Sequence, residues 1–205
     1  MESVNSTKDE KEQLVKNLSK SEKLFKKQIQ DKQKKAKALD VKLRKIIEEE
    51  IRKSREEAKK KSGSDIFGLT PEAQALSSEF NNNKGKLPWP LEKGIIVEQY
   101  GEQKHAVFSG VETFNNGINI ATSENTIIRS IFKGKVSRIF FIKGEGKAVL
   151  INHGEYFTVY SGLKEVTVKL GDEVLTKEKI GTVLTDSGEG KTELHFEIWQ
   201  GYEKL

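Results

Sequence analysis

Apolar and polar residues alternate with two different periods along this chain. Residues 8–61 hold no Pro and no Gly and are dominated by Lys, Glu, Gln, Leu and Ala, all good helix formers. Leu18, Phe25, Ile29, Ala36, Leu39, Leu43 and Ile46 recur at spacings of three, four and seven, a broken heptad seam. Lys32 interrupts it at an inward position, and the seam fades after Ile51. The pattern predicts one long coiled-coil helix over 8–62. So narrow a stripe does not bury itself, so the helix needs a partner: another arm of the same chain, a second copy or another protein. A plain spacer is the alternative to an arm that docks a partner.

Ser62-Gly63-Ser64 supplies stop and linker residues. Thr70 is a good N-cap and Pro71 fits the first helical position. Ala73, Leu76 and Phe80 then give a short helix over 71–81 one apolar face, and Asn81-Asn82-Asn83-Lys84-Gly85 closes it. Residues 63–85 are thus a linker carrying a short amphipathic helix. It either packs permanently on the domain that follows, or lies reversibly across a groove as a regulatory helix through Ala73, Leu76 and Phe80.

From Leu87 the period shortens. Pro88-Trp89-Pro90 forces an extended lead-in. Short β-type runs follow at 95–100, 117–121, 127–131, 136–142, 148–152, 156–163, 179–184 and 193–199, with turns at Gly134, Gly144, Gly146, Gly154, Gly171 and Gly188. This spacing predicts an all-β sandwich or barrel over 86–205.

Charge separates the same two parts. Residues 1–62 carry a net +8 and residues 63–205 a net −3, within a whole-chain charge of +5. The basic residues are interleaved with Glu at helical spacing and lack interleaved aromatics, the pattern of a solvated helix face rather than of a nucleic-acid surface. There is no Cys, so no disulfide framework arises. No apolar run is long enough to span a membrane, and the N-terminus lacks the basic start and apolar core of a secretion signal. The coil begins abruptly, as expected of a fragment excised from a longer precursor.

Several stretches of the β-rich part resemble the LytM (lysostaphin-type) zinc peptidoglycan endopeptidases, in matching order. They are Gly117-Ile118-Asn119-Ile120-Ala121, Ile131-Phe132-Lys133-Gly134-Lys135-Val136, Ile151-Asn152-His153-Gly154, Tyr160-Ser161-Gly162-Leu163, Val168-Lys169-Leu170-Gly171-Asp172-Glu173-Val174 and Leu194-His195-Phe196-Glu197-Ile198. The resemblance covers residues 86–205 and implies a LytM-type fold. The lead-in Gly85-Lys86-Leu87-Pro88-Trp89-Pro90-Leu91 and the run Tyr100-Gly101-Glu102 are similar to the EnvC-like murein hydrolase activators, which join a coiled coil to such a domain.

Transferred position by position, the resemblance puts the family's first zinc ligand at Asn115 and its Asp ligand at Asn119. The His of its Tyr-x-His-Leu motif falls at Gly162 and the first His of its terminal pair at Glu193. Only His195 keeps the family residue. An amide offers neither negative charge nor an imidazole nitrogen, and His195 with one Glu does not make a zinc site. The expectation is a degenerate peptidase, a pseudoenzyme with no metal, no cofactor and no catalytic residue. Its groove is expected to be lined by Asn115, Asn119, Tyr160, Gly162, Glu193 and His195, with Phe114, Glu145, Ala148 and Trp199 beside them. His153 falls where the family has a structural His, and His105 lies in a polar loop with no partner at motif spacing.

The resemblance further implies a periplasmic or cell-envelope protein of cell division. Its groove would bind and unlock an N-acetylmuramoyl-L-alanine amidase, its coil would meet an FtsE–FtsX-type complex, and peptidoglycan itself is a further ligand class. An active or weakly active zinc peptidoglycan endopeptidase and a passive wall-binding scaffold are the alternatives.

Overall fold

The computed structural model describes the backbone of all residues except 1, 63–68, 105–111 and 189; the side chains of 2–12, 57, 58 and 60–62 are also outside the description. His105 therefore lies outside the described residues. Among the described residues two helices come first, α1 (Glu2–Ser62) and α2 (Pro71–Asn82). Twelve strands follow: β1 (Ile95–Glu98), β2 (Gly101–Lys104), β3 (Glu112–Asn115), β4 (Ile118–Ala121), β5 (Ile127–Arg129), β6 (Gly134–Ile142), β7 (Gly146–Asn152), β8 (Tyr156–Val166), β9 (Glu173–Val174), β10 (Lys179–Val183), β11 (Glu193–Gln200) and β12 (Glu203–Lys204). The eight runs predicted as strands all contain one, while β2, β3, β9 and β12 are additional.

Two compact units divide the chain. One joins Met1–Lys42 to Glu102–Phe114, and the other joins Leu43–Gly101 to Asn115–Leu205. In the first, the Gln33 side-chain amide donates to the Glu112 carbonyl at 2.7 Å. Leu18 and Phe25, read as seam residues, are more than half exposed at 61% and 53%.

In the second unit ten strands form one sheet, in the order β1-β4-β11-β8-β7-β6-β9, with β10 paired to β5 and β8, and β12 to β11. The path ends on β1 and β9 without returning, so the sheet is open and not the closed barrel allowed by the strand spacing. Alternation along each strand gives it two faces. Ile120, Leu194, Phe196, Tyr160, Val149 and Ile151 enter the main core with Ile128, Ile180 and Val183.

Helix α2 completes that core. Thr70 Oγ1 accepts from the Ala73 amide at 3.2 Å, and Pro71 opens the helix. Phe80 is buried, stacked on Tyr156 at 4.7 Å and His153 at 5.0 Å and edge-on to Phe132 at 5.4 Å. Ser77 Oγ accepts from the Glu155 amide at 2.7 Å. The seat requires glycine at position 154, where φ is +93° and a Cβ would collide with the Ala73 carbonyl and the Ser77 hydroxyl.

The opposite face carries residues 43–50 of α1. Leu43 and Ile47, one helical turn apart, are fully buried. Arg44 donates to the Tyr202 carbonyl at 3.0 Å and lies 5.5 Å from the Trp199 ring centre. At the other end of this segment Arg138 pairs with Glu50 at 3.0 Å and Glu49 at 3.3 Å. Residues 44–50 therefore cross the strands from β11 to β6, over the register row Glu197–Val159–Leu150–Arg138. Val159 and Leu150 in that row are fully buried. Burying two such aliphatic side chains contributes about 3–6 kcal/mol. Ile47 is the inward residue, not Ile46, because the step from Leu43 is four residues.

Candidate functional site

The face crossed by α1 also holds His195. Asn119 and Ser161 flank it directly on β4 and β8, and Ala148 and Phe140 continue the row. This row lies one side-chain repeat from the row that α1 crosses. His195, Glu197 and Trp199 share the face because they alternate along β11.

These side chains form a continuous hydrogen-bonded string. Asn119 Nδ2 donates to Glu98 Oε2 at 2.8 Å, which fixes the amide oxygen toward His195. His195 Nδ1 lies 2.6 Å from that oxygen, and its Nε2 lies 2.9 Å from Glu197 Oε1. The other Glu197 oxygen accepts from the Trp199 indole at 2.7 Å and faces Lys204 Nζ at 3.8 Å. Glu197 is almost fully buried, so its charge is held by these partners. Two cations lie over the Trp199 ring, Arg44 at 5.5 Å and Lys204 at 4.5 Å from its centre.

This donor set does not fit zinc. A zinc ligand offers an imidazole lone pair, a thiolate or a carboxylate, and both His195 nitrogens already face acceptor oxygens. Among the described residues no group of three or more His, Cys, Asp or Glu side chains could hold a metal ion.

The expected groove residues are distributed unevenly. Asn119, Ala148, His195 and Trp199 share the face, with Ala148 and Trp199 fully buried. Asn115 ends β3, and its Oδ1 accepts from the Gly117 amide at 3.4 Å. Gly162 adopts φ +83°, where a Cβ would lie 2.7 Å from the Glu193 carbonyl, so a side chain there would displace β11. Glu193 is half-buried at the start of β11, and Glu145 is exposed in the β6–β7 turn. Phe114 belongs to the other compact unit. Tyr160, expected in the groove, points into the core, where its hydroxyl accepts from the Ile131 amide at 3.0 Å. Strand alternation puts it opposite to Ser161. Of the regulatory set, Phe80 belongs to the core and Leu76 packs against it, Ala73 is half-buried, and the helix over the His195 face is α1.

Sequence reasoning missed Glu197, Ser161, Glu98 and the α1 segment from Leu43 to Glu50. Period-two spacing from His195 was the available signal for Glu197. None identified Glu98, which reaches Asn119 across a bulged register.

His153 lies outside this string. It is fully buried, with Nδ1 2.7 Å from the Lys133 carbonyl and Nε2 2.8 Å from Thr158 Oγ1. Burial lowers its pKa from 6.5 to about 4, against a smaller opposing effect of the Lys133 carbonyl. The unfolded chain then binds more protons between these values, so stability is present above pH 6.5 and is lost as pH falls toward 4. Melting curves across this range are expected to reveal a loss of about 3 kcal/mol, with a smaller pH slope in a folded His153→Gln variant.

Residues 113–205 match Peptidase family M23, so the β-rich part of the chain carries an M23 (LytM) domain. The chain is 30% identical over 129 residues to Cell division protein DipM of Caulobacter vibrioides, covering 62% of this chain and 19% of that protein. It is 29% identical over 116 residues to Murein hydrolase activator EnvC of Escherichia coli, covering 56% of this chain and 26% of that protein. The match thus spans only about a fifth to a quarter of either relative. Among solved structures, Helicobacter pylori Csd3 shares the fold, with a TM-score of 0.50 and 24% identity over 58% of this chain and 33% of that one. No described helix is long and apolar enough to cross a membrane.

Proposed function

We propose that this protein is a non-catalytic activator of a peptidoglycan amidase in cell division, acting in the periplasm or cell envelope. The observation that carries this reading is the engagement of both His195 nitrogens by Asn119 and Glu197. A face built this way presents a binding surface and no Lewis acid. The relatives supply the biological setting: one is named a cell division protein and the other a murein hydrolase activator. In this reading the His195 face holds a segment of an N-acetylmuramoyl-L-alanine amidase, and the exposed part of α1 meets an FtsE–FtsX-type division complex.

The α1 segment that crosses the face is the regulatory element of this proposal. A partner using that face competes with Leu43 and Ile47, so pulling on α1 would favour the partner without any new contact. Helix α2, with Phe80 in the core, serves the domain as a fixed support.

The decisive assay is release of dye from labelled sacculi by purified amidases, with and without the full chain, together with elemental analysis. The expected result is amidase stimulation, no release by the chain alone and no stoichiometric zinc. About one tightly held zinc per chain with chelator-sensitive hydrolysis would sink the proposal.

A further inference from the structure

The two ends of the ten-stranded sheet meet solvent differently. At one end β9 has only two residues, Glu173 and Val174, and Val174 is buried. Short length and charge are common ways of blunting a sheet edge. At the other end β1 pairs with β4 alone among the described strands. Its Ile95, Ile96 and Val97 are 75%, 40% and 48% exposed. No Pro, Lys or Arg interrupts the three, and all are β-branched. Ile96 continues the buried row Leu194–Ile120 to the edge, so the main core ends on a half-covered side chain. Ile95, its neighbour, lies on the opposite face. The register shift after Ile96 ends the regular part of this edge at Val97.

We propose that β1 pairs edge to edge with β1 of a second copy of this chain, antiparallel and centred on Ile96. Residues that oppose each other in an antiparallel pair both turn N–H and C=O to the same side, so in a symmetric pair one residue opposes its own copy. Three centres are then available. Centred on Ile95, Gly94 opposes Ile96 and Lys93 opposes Val97. Centred on Val97, Glu98 opposes Ile96 and Gln99 opposes Ile95. Centred on Ile96, Ile95 opposes Val97 twice and Ile96 opposes itself, so every apolar side chain meets another. The two core rows then join through Ile96, the side chain that each copy leaves half covered. Residues 95–97 are thus their own complement, which selects a second copy over a strand of another protein. A ladder this short buries far less than the roughly 1,200 Å² of a stable interface, so the pair is weak, with a Kd on the order of 100 µM. The association stands apart from the activator reading. A dyad normal to the sheet would leave the two His195 faces on the same side, five strand spacings or about 24 Å apart.

The test uses the full chain. Sedimentation at concentrations spanning that Kd is expected to show a monomer–dimer equilibrium. Ile95→Lys, at a mostly exposed position, should melt like the unmodified chain and dissociate about tenfold more readily. Cross-linking then reads the register. The chain has no Cys, so an introduced one reports its own position. Directly opposed residues have Cα atoms about 4.5–5.5 Å apart, within disulfide reach, whereas diagonal ones lie about 7–8 Å apart. Ile96→Cys is expected to oxidise to a covalent dimer. Ile95→Cys and Val97→Cys should each stay largely monomeric alone and cross-link when the two chains are mixed. A monomer at every concentration overturns the inference. A dimer that Ile95→Lys leaves unchanged, or that Ile96→Cys fails to capture, also overturns it and puts the contact elsewhere, as on α1. Cross-linking of Ile95→Cys or Val97→Cys alone as fast as Ile96→Cys overturns it too, because that is the mark of another register or of random collision.

Discussion

Leu43→Ser/Ile47→Ser is expected to tighten amidase binding to the full chain by about ten- to a hundredfold. Both side chains are fully buried where α1 crosses the sheet face. Their truncation to a polar residue removes most of the aliphatic contribution, while Arg44 and the Glu49 and Glu50 pairs with Arg138 remain. Those pairs are partly exposed and contribute little alone. A loss of about 3 kcal/mol in docking converts to roughly a hundredfold gain in open face wherever the face is mostly covered. Titration of a labelled amidase measures the gain directly. The sheet's main core lies on the other face, so the melting transition of the domain should persist. Equal or weaker binding by a variant with that transition intact would refute occlusion by α1.

Phe80→Ala carries the largest expected loss of stability, about 3–5 kcal/mol. The ring is buried, stacked on Tyr156 and His153 and edge-on to Phe132. Chemical denaturation should show a lower midpoint with an unchanged slope. The same variant separates a supporting α2 from a regulatory one. A supporting helix gives a less stable domain with no gain in amidase stimulation. A stable domain with increased stimulation would restore α2 as the regulator.

Much of the architecture was legible because it is local. The absence of Gly and Pro over 8–61 and the Thr70-Pro71 start mark the helices. Gly-punctuated β runs mark most strands. Closure was not legible, because whether a sheet shuts depends on which strands form its ends, here β1 and β9. The fate of α1 was equally hidden. A heptad stripe states that a helix has an apolar side, but Arg44 meets Tyr202 and Glu50 meets Arg138 only after the whole sheet has formed. In the candidate site, Asn119 and His195 were found through motif order. Tyr160 was misplaced because adjacent strand residues point to opposite faces, and the motif does not say which residue faces the groove. Ser161, its neighbour, was passed over for the same reason.

The environment of Trp199 gives the protein an optical readout of its own. The chain has two tryptophans, and the other, Trp89, is about half exposed, at 53%. Trp199 is fully buried, its indole bound to Glu197 and its ring close to the Arg44 guanidinium. When α1 lifts, this fluorophore loses a cation and gains water, while the water-exposed Trp89 provides an internal reference. Emission colour and quencher access at Trp199 therefore track the arm's position without any attached dye, and a Trp89→Phe background isolates the signal for rapid-mixing measurements of how fast the arm leaves.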